Sequence, residues 1–80
     1  MITVHAKLFA TLRRRYPELG LGEAMPVSLP AGSTVGDLVR QLDLPEEEVK
    51  LVFVNGLVRT TDDRLSDGDE VGIFPPVGGG

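Results

Sequence analysis

Cysteine is absent from this chain of 80 residues, and that absence removes several kinds of protein at once. Disulfide scaffolds and thiolate metal centres are excluded, as is any chemistry carried on the chain's own thiol. Histidine occurs once, as His5, on the outward side of an expected strand. No nucleophile, base and orienting group can be placed together around it, so the chain is not expected to be an enzyme by itself. A glycine-rich loop followed by Lys-Ser or Lys-Thr, which would cradle phosphates, is also missing. No apolar run approaches the roughly 20 residues of a membrane span, and no signal-peptide pattern opens the chain. A cytoplasmic domain with no membrane contact is therefore the expectation. Excess positive charge is lacking too: the net charge is −4. Only Arg13-Arg14-Arg15 gathers cations, and that triplet reads as a solvated face, so nucleic acid is not expected as a partner. Asp62-Asp63 and Asp67 with Asp69 lack the spacing of a calcium loop and read as turn residues. No metal is expected.

What is present reads as one small domain. Ile2 to Leu8 alternates apolar and polar residues, placing Ile2, Val4, Ala6 and Leu8 inward and Thr3, His5 and Lys7 outward. Phe9 continues on the outward side. Residues 10–16 can form a short helix, closed by Pro17 and Gly20. Residues 25–29 form a second strand, paired with the first through a long connection. Ser33-Thr34 caps a helix in which Val35, Leu38, Val39 and Leu42 make one apolar stripe. Pro45-Glu46-Glu47-Glu48 is an acidic turn of helix. Leu51 to Val54 is a strand, Asn55-Gly56 a tight hairpin turn, and Leu57-Val58 the return strand. Asp67-Gly68 turns the chain into a last strand, Glu70 to Phe74, where Val71 and Ile73 share one side and Phe74 takes the other. The order predicts an α+β fold, a mixed sheet of four to five strands on one main helix.

After that domain, expected over residues 1–74, comes a glycine tail over residues 75–80: Pro75-Pro76-Val77-Gly78-Gly79-Gly80. The proline pair holds its stretch extended, and glycine without a Cβ can enter a narrow slot. Such an arm reaches roughly 20 Å at about 3.3 Å per residue. Two readings stand side by side, an inert frayed end and an arm whose Gly80 carboxylate is the working group. Phe9 and Phe74, on sides away from the core, are candidates for a docking patch, with Leu57 near them.

The motifs Leu8-Phe9-Ala10, Thr34-Val35-Gly36-Asp37-Leu38, Val54-Asn55-Gly56, Leu65-Ser66-Asp67-Gly68-Asp69-Glu70-Val71 and Phe74-Pro75-Pro76-Val77-Gly78-Gly79 occur in that order. The chain resembles the MoaD/ThiS group of ubiquitin-like sulfur carriers along its whole length, and MoaD more than ThiS. The family usually stops at two glycines, whereas Gly80 is a third, which is either the working residue or is removed to expose Gly79. The resemblance implies a β-grasp fold and a chain that is a cosubstrate and subunit. Its terminal glycine, here Gly80 beside Gly79, would be adenylated with ATP by a separate MoeB/ThiF-type, ubiquitin-activating-like enzyme. A sulfur donor would then convert it to a thiocarboxylate, chemistry that needs no cysteine in the carrier. The resemblance further implies delivery of that sulfur within a large molybdopterin synthase subunit, for the molybdenum or tungsten cofactor. Thiamine, tRNA or a protein lysine are the alternative acceptors, and a plain interaction domain with an inert tail is the alternative in class. Partner contact through Phe9, Leu57, Phe74, Pro75, Pro76, Val77 and Gly78 is implied, with no cofactor held permanently.

Overall fold

A computed structural model describes residues 1–20 and 22–76. Five strands and one α-helix follow in the expected order: β1 (Ile2–Leu8), β2 (Met25–Leu29), α1 (Val35–Gln41), β3 (Leu51–Val54), β4 (Leu57–Arg59) and β5 (Glu70–Phe74). Two 3-10 turns, Ala10–Arg15 and Glu46–Glu48, fill the connections. The sheet order is β2-β1-β5-β3-β4. β5 lies at the centre, parallel to β1 and antiparallel to β3. This is a β-grasp arrangement, in which the first and last strands are neighbours and the helix covers one face.

Alternation along the strands makes the core. Val4, Ala6 and Leu8 of β1, Val52 and Val54 of β3, and Val71 and Ile73 of β5 are all buried on one side. The stripe Val35, Leu38, Val39 and Leu42 joins the same cluster, which is why a helix of seven residues, marginal alone, is stable here. Its ends are closed by local chemistry. The Thr34 hydroxyl accepts from the Asp37 N–H at 3.2 Å, and the Asp37 carboxylate accepts from the Thr34 N–H at 2.9 Å, a reciprocal capping box. The backbone hydrogen bond from Thr34, then that from the Arg40 side chain, holds the Asp37 carboxyl below the usual carboxylate range. At the other end Asp43 takes a left-handed φ of 59°. Its N–H donates to the Arg40 carbonyl while Leu44 N–H donates to the Val39 carbonyl, so orphan carbonyls find partners without a glycine.

The turns hold the register. Asn55 and Gly56 both have positive φ, 52° and 86°, the conformation a two-residue hairpin needs. Asn55 also bonds across to β5, its amide donating to Asp69 and its side-chain oxygen accepting from Glu70 N–H, each at 3.0 Å. Gly68 has φ 85°, and Asp67 accepts from the Thr3 N–H at 2.8 Å. The acidic pairs are turn residues, as their spacing implies.

Candidate functional site

The sheet face opposite the helix gathers three phenylalanines. β1 and β5 run side by side with Leu8 opposite Ile73, and Phe9 N–H extends that ladder by donating to the Ile73 carbonyl at 3.1 Å. This brings the Phe9 and Phe74 rings into parallel stacking, centroids 4.1 Å apart and planes 3° from parallel. On the other side of β5, Phe53 meets the edge of Phe74 at 5.5 Å and 77°. Both geometries suit the ring quadrupole. All three rings are half-buried, packed on one another rather than under another element. Leu51, opposite Phe74, and Val58, opposite Phe53, extend the patch and are 43% and 58% exposed. An exposed apolar patch of this kind is the candidate docking surface of the molecule. Lys7 and Glu70 stand at its margin, bordering a hollow of about 180 Å³ beside Phe53 and Gly72.

Phe74 is also the last residue of β5. Its carbonyl accepts from Lys50 N–H at 2.8 Å, so the end of β5 is held from both neighbouring segments. Pro75 follows half-buried and Pro76 exposed. They border a groove of about 470 Å³ with Arg14 and Arg15 on one wall and Glu47 and Glu48 on the other. Arg15 and Glu48 form an ion pair at 3.1 Å that ties the two 3-10 turns together. Such an exposed pair contributes little to stability, about 1 kcal/mol at most.

The expected site residues therefore divide. Phe9, Phe74, Pro75 and Pro76 are brought together at one end of the sheet. Leu57 is not brought to them. The hairpin register sets Leu57 opposite Val54, whose side chain faces the helix, and Val58 opposite Phe53. Leu57 instead sits in a separate hollow with Arg59, Arg64 and Asp69. Val77, Gly78, Gly79 and Gly80 lie outside the described residues. Phe53 is a member of the patch that sequence reasoning passes over, although the same alternation, read between buried Val52 and Val54, places it outward. His5 is exposed, and among the described residues no group of three acidic or histidine side chains is placed to hold a metal ion. No helix among them is long and apolar enough to cross a membrane.

Solved structures share this arrangement. A Pyrococcus furiosus protein assigned provisionally as molybdopterin converting factor subunit 1 superposes with a TM-score of 0.77 at 30% identity, covering 96% of this chain and all of that one. Two structures of small archaeal modifier protein 1 of Haloferax volcanii match, one with a TM-score of 0.77 at 24% identity over 96% of this chain and 100% of its own, the other with 0.71 at 26% over 98% and 99%. A further Haloferax volcanii protein, HVO 2177, gives 0.79 at 26% identity, over 99% of this chain and 87% of its own. At the level of sequence pattern the ThiS family matches residues 6–80.

Proposed function

Because the chain belongs to the ThiS family of ubiquitin-like sulfur carriers, we propose that its Gly80 carboxylate is the group that carries sulfur. The observation that supports this most is the family match, which runs through the glycines to residue 80. A carboxylate at neutral pH is a poor electrophile, since it is anionic and has no leaving group. In the proposed reaction a carboxylate oxygen attacks the α-phosphorus of ATP on a separate adenylating enzyme, and pyrophosphate leaves. The product is an acyl adenylate. A hydrosulfide-equivalent donor attacks its carbonyl carbon, the bond to the AMP oxygen breaks, and AMP departs with the electron pair. The carrier is left with a thiocarboxylate. ATP is thus a cosubstrate of the partner, and this chain supplies the acyl group and the docking surface.

The aromatic face fits that role by position. Phe74 is both the centre of the ring cluster and the residue before Pro75, so a partner seated on the rings is next to the root of the tail. Sulfur delivery to a molybdopterin precursor inside a large synthase subunit is the acceptor we favour, supported by the 30% identity to the Pyrococcus furiosus protein. The likeness to small archaeal modifier protein 1 supports a second reading, in which Gly80 is joined to a target lysine.

Intact mass spectrometry of protein from its own cells tests the proposal. The expected result is a species heavier by sulfur for oxygen, mapped to the last glycine and lost on thiol alkylation, and absent from a variant lacking Gly80. A single unmodified mass, unchanged after ATP and an activating enzyme, would sink the carrier reading. Isopeptide-linked adducts that vanish with Gly80 would assign the chain to the modifier class.

A further inference from the structure

At the centre of the aromatic face stands a residue with no side chain. Gly72 points outward between Glu70 and Phe74 on β5, with Lys7 beside it on β1 and Phe53 on β3. A Cβ built there would lie 3.3 Å from Phe9 Cε2 and 3.5 Å from Phe74 Cε1, so these ring edges approach the space above the glycine. The backbone does not demand glycine: among the described residues the positive-φ glycines are Gly22, Gly32, Gly56 and Gly68. Within a strand glycine is disfavoured, because it loses more chain entropy and packs nothing. A glycine in a strand that needs none marks a close approach, and here what approaches is a pair of rings.

We infer that Gly72 is a positioning residue for the docking face, its missing side chain letting Phe9 lie flat on Phe74. A side chain at 72 lifts the Phe9 ring, opens the stack, and changes the surface a partner meets beside Pro75. The inference rests on the carrier reading above, in which this face seats the activating enzyme.

The experiment uses full-length carrier and an adenylating enzyme first shown to act on the wild-type chain, followed by ATP–pyrophosphate exchange. Gly72→Ala and Gly72→Val are measured beside Phe74→Ala. Melting temperature and the ring-proton shifts of Phe9 and Phe74 are recorded for each. Gly72→Ala is expected to melt no lower than wild type, to move the ring shifts, and to raise KM for the carrier about fivefold with kcat unchanged. Gly72→Val is expected to go further, and to add nothing in a Phe9→Ala background. A purely structural role for Gly72 predicts instead that KM rises only as the melting temperature falls, and that result overturns the inference. Should the valine variant not fold, the alanine variant decides alone. Wild-type KM and ring shifts in the Gly72 variants, with KM raised in Phe74→Ala, overturn the role of Gly72 and leave the docking reading intact. An unchanged KM in Phe74→Ala overturns the docking reading, and this inference with it.

Discussion

On β5, Val71 and Ile73 are 1% and 0% exposed beneath the helix, while Gly72 and Phe74, alternating with them, lie half-buried on the opposite face. The two faces of this sheet are built from the same strands by different rules. The helix-side face is filled with aliphatic residues that meet Val35, Leu38 and Val39. Its members are interchangeable in kind, and together they determine whether the chain folds. The other face has three rings in defined mutual orientation, a glycine where a side chain would intrude, and exposed Leu51 and Val58. It is less deeply buried than the core, its three rings all partly open to solvent. On the proposed reading, stability and recognition are separated by one residue of alternation.

The strongest challenge to that separation is a charge on the helix-side face. Leu38→Asp buries a carboxylate with no partner, and the cost exceeds the roughly 5 kcal/mol or more that holds a small domain together. Circular dichroism should show an unfolded chain; a folded Leu38→Asp protein would break the comparison. Next come two truncations one residue apart. Ile73→Ala should lower stability by about 2–5 kcal/mol in denaturant melts. Phe74→Ala should instead weaken partner binding by more than about 1 kcal/mol, and it should destabilise the fold less than Ile73→Ala. Equal losses of stability would place Phe74 in the core. Thr34→Ala removes the helix cap and should cost about 1 kcal/mol, leaving partner affinity alone. Asp37 sharpens this test through pH. Its folded-state pKa is lowered, so its contribution is present above the unfolded carboxylate pKa near about 4 and is lost as pH falls through the folded value. The gap between wild type and Asp37→Asn should therefore narrow in acid titrations below about pH 4. The smallest effect is expected at Val58→Ser, within about 0.5 kcal/mol in stability, since Val58 is more than half exposed.

Much of this fold is legible in the sequence. The alternation of β1, the stripe of α1 and the Asn55-Gly56 turn are local signals, and the strands, helix and hairpin follow them. Parity alone also puts Phe9 and Phe74 away from the core. What local pattern does not contain is which strand lies beside which. The parallel pairing of β1 with β5 is a contact between distant residues, and without it Phe9 and Phe74 are two outward aromatics with no relation. Leu57 departs from its expected place for the same reason, because nearness to the turn suggests the patch while the register with Val54 decides its face. Gly72, an isolated glycine in a predicted strand, signals at most a close approach, and what approaches is two rings that arrive from elsewhere. The tyrosine hydroxyl that bonds from Tyr16 to the Leu42 carbonyl at 2.7 Å is likewise a product of the tertiary fold.

The central place of β5 has a consequence for synthesis. β5 joins the β2–β1 pair to the β3–β4 pair, and until residue 74 has left the ribosome neither pair has its neighbour. A two-stranded ribbon is at best marginal in water, and pairing across such a sequence separation is slow. Ribosomes that stop early therefore release chains that cannot complete the sheet and remain open to proteolysis. Chains that do fold have, of necessity, been translated up to the residues that lead into the glycine tail. Foldedness in this protein thus reports that the chain extends through β5, and on the proposed reading a partner seated on the aromatic face is also checking that translation reached the root of the arm.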